Sequence, residues 1–225
     1  EFSKKDISKY IKYPEDQIEI IPPAVDHNLY YPNRNRAALK KYRIEETEKV
    51  ILYVGAEEPR KNIQLLINSF SKLKNKIPQV KLLKVGTPNY LGVREKLLEQ
   101  IESLNLQKDI IFTGYVSERE LAEIYNAVDL FVFPSLYEGF GIPPLEAMAC
   151  GTPVITSNTS SLPEVVGDAA IVVDPYDADK LVEEMYQLLT DDGLKKEMIR
   201  KGLKRSKMFS WDESARKTLR VYKEL

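Results

Sequence analysis

The sequence has little of the residues that covalent and metal-dependent chemistry most often uses. Its 225 residues include one cysteine, one histidine and one tryptophan. A lone cysteine, Cys150, excludes an internal disulfide framework and favours a cytoplasmic protein, and no Cys/His set has the spacing of a zinc site. The single histidine, His27, lies beside a proline-rich stretch, which argues against a histidine-dependent catalytic triad.

Long apolar runs and an excess of one charge are also missing. No run approaches the ~20 apolar residues that a membrane-spanning helix needs. The formal net charge of −1 argues against a broad nucleic-acid footprint. The remaining composition, 43% hydrophobic and 30% charged, is that of one large globular domain or two small ones. The opening residues, EFSKKDISKYI, suggest a helix cut from a longer protein rather than a signal peptide.

Short apolar runs alternate with amphipathic stretches along the chain. Apolar residues at helical spacing separate the runs, residues 178–225 predict helices throughout, and Ser117 with Glu120 predicts a capping box. The runs predict seven strands: Ile18–Ile21, Val50–Val54, Val80–Val85, Ile110–Thr113, Leu130–Phe133, Pro153–Thr156 and Ala170–Val173. The alternation predicts an α/β fold, a Rossmann-like doubly wound parallel sheet with right-handed crossovers and a helical carboxyl terminus.

Unusual residues recur just after the predicted strands. They are Gly55, Gly86, Gly114, the segment 134–141 and Ser157. A single glycine in such a place often does no more than end the strand. The carboxyl ends of parallel strands share one edge of the sheet, however, and ligands of open α/β sheets bind at that edge. The repeated pattern therefore predicts a binding cleft there.

Several familiar nucleotide and hydrolase motifs are missing. The chain has no G-x-x-x-x-G-K-[ST] and no G-x-S-x-G, which argues against a P-loop enzyme and a serine hydrolase. Gly139 and Gly141 begin a G-x-G, but Pro144 stands in place of the third glycine of a dinucleotide-binding fingerprint. Thr159 lies where that fingerprint has an acid for the ribose. A nicotinamide-dependent enzyme is therefore a poor match.

The segment SLYEGFGIPPLEAMACG, residues 135–151, carries the most specific local pattern. Pro143–Pro144 suits the first turn of a helix, and Gly151 suits its end. The free N–H groups of Gly141–Ile142 would lie at the positive end of that helix, where an anion binds favourably.

Two glutamates flank this helix start. Glu138 precedes the turn and Glu146 lies about one turn inside the helix. Carboxylates accept hydrogen bonds from paired sugar hydroxyls. A ligand with an anion in the middle and a hydroxylated ring on each side has the chemistry of a sugar nucleotide.

Two adjacent cations follow the first strand of the main sheet. The segment VGAEEPRKN, Val54–Asn62, places Arg60 and Lys61 at the start of a helix. A charge-assisted hydrogen bond from Lys61 to a diphosphate would contribute roughly 1.5–3 kcal/mol, more than the ~0.3–1 kcal/mol of a helix terminus. The competing interpretation is that both cations are solvated surface charges.

Together these motifs resemble the carboxyl-terminal half of a GT-B, family 4 retaining glycosyltransferase (glycosyl transferases group 1). The E-x7-E signature is Glu138 to Glu146 within EGFGIPPLEAMACGTPVI, and the resemblance continues in GYVSERELAEIYNAVDLFVFPS, SSLPEVVGDAAIVVDP and FSWDESARKTLRVYKEL. It covers nearly the whole chain. It implies that residues 1–36 are the end of an amino-terminal lobe and a crossover segment. Residues 37–225 would form the carboxyl-terminal Rossmann-like nucleotide-sugar-binding domain with its closing helices.

The resemblance also implies roles by position. Glu138 matches the glutamate that contacts the transferred sugar, Glu146 the one that holds the ribose hydroxyls, and Lys61 the diphosphate-binding lysine. Many members have an arginine directly after the glycine, where this chain has Ala56, and whether Arg60 replaces that guanidinium is open. Glu138, Lys61 and Arg60 are thus the candidate catalytic residues. The other matched donor-binding positions are Gly55, Phe140, Gly141, Ile142, Leu145 and, beside the base, Tyr115 and Val116.

The implied reaction transfers a sugar from a UDP-, GDP- or ADP-sugar to an acceptor hydroxyl with retention of anomeric configuration. The resemblance implies no metal and no cofactor besides the donor. The acceptor, a glycan or a lipid-linked sugar, would bind through the missing amino-terminal lobe of a cytoplasmic enzyme that is open to peripheral membrane contact. The isolated chain would then bind donor without transferring it. The alternatives are a non-catalytic nucleotide-sugar-binding module, a different GT-B enzyme such as a sugar-nucleotide epimerase or glycogen-synthase-like enzyme, and a structural domain without ligand.

Overall fold

A single six-stranded parallel sheet organises the computed structural model, which describes residues 1–224. The strand order is β3-β2-β1-β4-β5-β6, and every neighbouring pair of strands is parallel. The chain moves outward from β1 to β3 and then returns to β4, so the order reverses between β1 and β4. The strands are β1 (Lys49–Val54), β2 (Val80–Val85), β3 (Ile110–Gly114), β4 (Leu130–Phe133), β5 (Val154–Ser157) and β6 (Ile171–Val173). The structure confirms the predicted doubly wound sheet.

Helices connect and cover the strands. A π-helical turn at Ile7–Ile11 and 3-10 turns at Glu15–Gln17 and Pro59–Lys61 lie between them. Within residues 1–224 the α-helices are α1 (Phe2–Asp6), α2 (Ala37–Lys40), α3 (Ile63–Lys74), α4 (Val93–Ser103), α5 (Glu118–Ala127), α6 (Ile142–Ala149), α7 (Leu162–Val166), α8 (Ala178–Thr190), α9 (Asp192–Ser206) and α10 (Trp211–Glu224). The helical carboxyl terminus is confirmed up to Glu224, whereas Leu225 lies outside the described residues. None of these helices has the length and apolarity that crossing a bilayer requires.

The core lies on both faces of the sheet. Strand β4 is buried along its whole length, and its two phenylalanines, Phe131 and Phe133, stack 5.8 Å apart. Helix α3 buries Leu66, Ile67 and Phe70 against the sheet. Because helices cover both faces, the inner strands consist mostly of apolar residues rather than of an alternating pattern. Each such side chain contributes roughly 1.5–3 kcal/mol on burial, which explains why the runs identified the strands so well.

Two local predictions need correction. Residues 18–21 form no strand: Pro22 and Pro23 follow, and prolines lack the N–H that a sheet ladder requires. This segment lies against α10 instead, where the Ser214 hydroxyl donates to the Pro22 carbonyl at 2.6 Å. The capping box is half formed. Ser117 Oγ accepts from the Glu120 N–H at 3.2 Å, but the Glu120 carboxylate turns away and accepts from Lys41 and Tyr42.

A charge cluster anchors residues 34–36 at the amino-terminal edge of the sheet. Asp129, which is 3% exposed, binds Arg34 at 3.1 Å, Arg36 at 2.9 Å and Lys195 at 3.2 Å. Burial alone would raise the pKa of Asp129, but Lys195, the Val50 amide and Arg36 outweigh it and hold that pKa below its usual range. The boundary proposed at residue 36 stays a prediction.

Gly86 follows β2, and its backbone lies against that of Gly55, which follows β1. Its φ is +117°, and an added Cβ would collide with the Gly55 carbonyl oxygen. We expect Gly86→Ala to lower the free energy of unfolding by about 1–3 kcal/mol, because the left-handed conformation and the backbone collision both oppose a side chain. Gly139→Ala is the control, since a Cβ at position 139 meets nothing within 4 Å. Equal losses in urea unfolding would contradict this account.

Candidate functional site

The carboxyl ends of the strands meet at one edge of the sheet, as the pattern of glycines predicted. The Gly55 N–H donates to the Val85 carbonyl at 3.0 Å, and the Gly86 N–H donates to the Gly114 carbonyl at 2.9 Å. The segment after β4 lies beside Gly55, because β4 pairs directly with β1. The candidate site is therefore at the point where the strand order reverses, which is where ligands bind in open α/β sheets.

Three charged residues from two loops meet at this edge. Lys61 Nζ lies 2.6 Å from Glu138 Oε1, and Arg60 Nη1 lies 3.2 Å from Glu138 Oε2. Lys61 is 9% exposed and Glu138 8% exposed, so neither side chain is a solvated surface charge. The Lys61 ammonium also lies 4.9 Å from the centre of the Phe133 ring. Arg60 is more exposed and binds Glu58 as well, at 2.7 Å.

The local sequence explains how Lys61 reaches this position. Pro59–Lys61 forms a 3-10 turn that ends at Asn62, which has a left-handed φ of 55°. The Asn62 side chain holds the turn by donating to the Pro175 carbonyl at 2.7 Å. The Arg60 carbonyl accepts from the Leu136 N–H at 2.7 Å, so the two loops are tied together at the backbone.

Two serines that the sequence did not single out hold the Glu138 loop. Ser160 Oγ accepts from the Glu138 N–H at 3.0 Å. Ser161 Oγ donates to the Glu138 carbonyl at 2.9 Å and to the Phe140 carbonyl at 2.7 Å. The only signal for them was their place in the quoted stretch SSLPEVVGDAAIVVDP, after β5. These hydrogen bonds hold the backbone on both sides of Gly139.

Helix α6 begins at Ile142, as the Pro143–Pro144 pair predicted, and Gly151 follows its end with φ of +76°. Gly141 precedes the helix with φ of +114°, and a Cβ there would lie 2.7 Å from Leu162 Cδ2. No side chain caps this helix start. Only glycine fits at position 141 because both the conformation and the contact with Leu162 exclude a side chain.

Glu146 lies apart from the Lys61–Glu138 pair. The Tyr125 hydroxyl donates to Glu146 Oε2 at 3.0 Å, and the Tyr30 ring packs edge-on against that of Tyr125. Burial raises the pKa of Glu146 above its usual range, and the hydrogen bond from Tyr125 offsets only part of that rise. Among residues 1–224, neither Glu138 nor Lys61 is a hydrogen-bond partner of Glu146, so the two glutamates contact each other neither directly nor through that lysine.

The remaining predicted site residues differ in how far their side chains are exposed. The Leu145 side chain is fully buried in the core and Val116 is nearly so, which leaves their backbones for any ligand contact. Tyr115 is 81% exposed beside the end of β3. Phe140 packs edge-on against Phe209, with ring centres 5.7 Å apart, and this contact joins the glycine-bearing turn to the end of α9.

A buried charge cluster at the same edge was not predicted. Glu57 is fully buried and binds Lys84 at 2.7 Å and Arg94 Nε at 2.6 Å. Burial would raise the pKa of Glu57, but hydrogen bonds from Arg94 and Lys84 outweigh it and lower that pKa. Lys84 also donates to the Gly86 carbonyl at 2.7 Å, so the cluster braces the backbone next to the candidate site.

Comparison with known proteins identifies the family. The sequence profile of "Glycosyl transferases group 1" matches residues 35–205. The chain is 37% identical over 229 residues to the O-antigen chain mannosyltransferase B of Escherichia coli, and the match covers 100% of this chain and 59% of that protein.

Solved structures show the same fold. Sucrose-phosphate synthase from Thermosynechococcus elongatus superposes with a TM-score of 0.86 at 28% identity, over 99% of this chain and 56% of that chain. Anabaena HepE, solved in complex with UDP and glucose, superposes with a TM-score of 0.87 at 21% identity, over 99% of this chain and 61% of that one. This chain thus spans little more than half the length of these relatives. It belongs to the glycosyl transferases group 1 family and has the Rossmann-like fold of a GT-B glycosyltransferase lobe.

Proposed function

We propose that this chain binds the nucleoside-diphosphate sugar in a retaining glycosyltransferase that transfers the sugar to an acceptor hydroxyl. The observation that carries the proposal is the pairing of Lys61 with Glu138 at the reversal point of the sheet, next to the uncapped start of α6. The mannosyltransferase relative at 37% identity supports the reaction class, and the HepE complex with UDP and glucose supports the type of donor.

Each charged group of the pair suits one part of such a donor. The Lys61 ammonium would stabilise the negative charge that develops on the departing diphosphate, together with the first N–H groups of α6. The Glu138 carboxylate would accept hydrogen bonds from hydroxyls of the transferred sugar. Without donor, the two side chains neutralise each other at 2.6 Å, and the donor would exchange that ion pair for its own phosphate and hydroxyls.

On this proposal no side chain forms a covalent bond to the sugar. The leaving phosphate helps to deprotonate the incoming acceptor hydroxyl on the same face of the ring, which retains the anomeric configuration. The protein's contribution is then positioning and charge stabilisation, without a metal ion. Glu146 would hold the ribose, while backbone groups near Gly55, Tyr115 and Val116 would surround the base and phosphates.

The name of one relative also indicates a donor sugar. Mannose is the sugar in the name of the Escherichia coli relative, so we propose a mannosyl donor first. The candidate bases are those of UDP, GDP and ADP. We propose that a further lobe supplies the acceptor site, for a glycan or a lipid-linked sugar, in a cytoplasmic enzyme with peripheral membrane contact. Product analysis with the complete enzyme separates transfer from epimerisation and from polymer synthesis.

A calorimetric titration of the 225-residue chain with UDP, GDP and ADP, with and without magnesium, tests the proposal. We expect one nucleoside diphosphate to bind and magnesium to leave its affinity unchanged, because Lys61 supplies the charge. We also expect no transfer by this chain alone, because on this proposal a further lobe supplies the acceptor site. Absence of binding heat with all three nucleotides would favour a structural domain. Measurable transfer by the purified chain would contradict the proposal that a further lobe supplies the acceptor site.

A further inference from the structure

We propose that Tyr125, whose ring packs against Tyr30, is a positioning residue whose hydroxyl holds the Glu146 carboxylate where it accepts hydrogen bonds from the donor ribose. The inference rests on the proposed function, because it requires Glu146 to face a ribose. Neither tyrosine would touch the donor itself.

The Tyr125 ring is fixed before any ligand arrives. It is fully buried on α5 and packs edge-on against Phe131, with ring centres 5.5 Å apart, and against Tyr30 at 6.0 Å. Two aromatic rings from different parts of the chain therefore define its orientation. A ring held in this way presents its hydroxyl at one point, which is 3.0 Å from Glu146 Oε2.

Tyr125 acts as a donor at any physiological pH. Burial, followed by the charge of Glu146, raises the pKa of Tyr125 well above its usual value. The hydroxyl therefore keeps its proton, and the carboxylate 3.0 Å away accepts it in a hydrogen bond.

The arrangement leaves part of the carboxylate free for a ligand. A carboxylate has about four acceptor positions on its two oxygens, and Tyr125 uses one of them. A glutamate on a helix otherwise samples several rotamers, and ordering it on binding opposes affinity. A fixed donor reduces that freedom in advance, so Glu146 is pre-organised for a pair of vicinal hydroxyls.

The proposal differs from a purely structural hydrogen bond in what it predicts for ribose recognition. The test compares the nucleoside diphosphate that binds best with its 2′,3′-dideoxy analogue, on the wild-type chain and on Tyr125→Phe. We expect the wild type to bind the dideoxy analogue at least about tenfold more weakly, the loss typical of hydrogen bonds to a charged group. In Tyr125→Phe this ratio should shrink to about threefold or less, because the carboxylate is no longer held in place.

Two further variants complete the design. Glu146→Gln should reduce the ratio as Tyr125→Phe does, because it weakens the acceptor itself. Tyr42→Phe is the matched control: Tyr42 also donates to a glutamate of α5, Glu120, at 2.7 Å, and its loss should leave the ratio at the wild-type value. If Tyr125→Phe fails to fold, Tyr30→Leu replaces it: it removes one of the rings that hold Tyr125 and should shift the ratio in the same direction.

The outcomes distinguish the positioning role of Tyr125 from the proposed donor-binding function. A wild-type ratio retained by Tyr125→Phe but lost by Glu146→Gln would overturn the role of the tyrosine and leave the proposed function intact. A wild-type chain that binds no nucleoside diphosphate would overturn both. A ratio near one in the wild type would overturn the assignment of Glu146 to the ribose, and the positioning role with it.

Discussion

Lys61→Ala is expected to lower turnover of the complete enzyme by on the order of a hundred- to a thousandfold, and at least tenfold more than Arg60→Ala. A preorganised group at the site where transition-state charge develops contributes about 3–4 kcal/mol. Lys61 is nearly buried, and in that environment its charge is screened less by water. The Arg60 side chain is 44% exposed and shares its charge between Glu58 and Glu138, so its loss removes a weaker interaction. Single-turnover kinetics with saturating donor measures the difference.

The stability of the variants has to be measured alongside, because Lys61 also neutralises Glu138. Removing one member of a nearly buried pair leaves a carboxylate without its main partner, which destabilises the fold. Lys61→Ala combined with Glu138→Gln relieves that charge, and it should recover thermal stability without recovering turnover. Lys72→Ala, at an exposed ion pair with Asp179, is the surface control and should change neither. Equal losses of turnover in Lys61→Ala and Arg60→Ala would show that Arg60 shares the diphosphate.

The fold was predictable because its pattern is local. Six of the seven predicted strands are present, since strands covered on both faces are largely apolar, as in Leu130–Phe133. The seventh predicted strand, Ile18–Ile21, is also mostly apolar. It does not form, because two prolines follow it and because this part of the chain lies against α10 rather than beside another strand. A run of apolar residues therefore shows that a segment is extended or buried, but not which partner it has.

The site was predictable only in part, because its contacts join distant residues. Lys61 and Glu138 are 77 positions apart, and each was identified from its own motif at a strand end. Their direct contact follows from the pairing of β1 with β4, which no local pattern specifies. Tyr125 was predicted only as an apolar position of a helix, because its contact with Glu146 depends on where α6 packs. Lys84 is one of two lysines inside a predicted strand, and neither gives an indication of a buried acid partner.

Glu57→Ala is expected to lower the free energy of unfolding by about 3–5 kcal/mol, although Glu57 was identified by no motif. The carboxylate is fully buried between Lys84 and Arg94, and Lys84 is itself 1% exposed. Without Glu57 the Lys84 ammonium has no charged partner inside the protein, and breaking a buried pair in this way has a cost of that size. For a domain of 225 residues the loss corresponds to a melting temperature lower by roughly 6–20 °C. Differential scanning calorimetry measures it.

The acid dependence of stability provides an independent test of the same cluster. The pKa of Glu57 is lower in the folded state than in the unfolded state, because hydrogen bonds from Arg94 and Lys84 outweigh the effect of burial. Its contribution is therefore complete above the unfolded pKa and is lost as the pH falls through the folded pKa. Glu57→Gln should weaken that acid-limb dependence, and Glu57→Leu with Lys84→Met should recover much of the stability lost by Glu57→Ala, because apolar side chains of similar size need no partner. Glu58→Ala, one residue away in a partly exposed ion pair, should cost less than about 1 kcal/mol. If Glu58→Ala and Glu57→Ala were equally destabilising, the buried cluster would not be what holds this edge of the sheet.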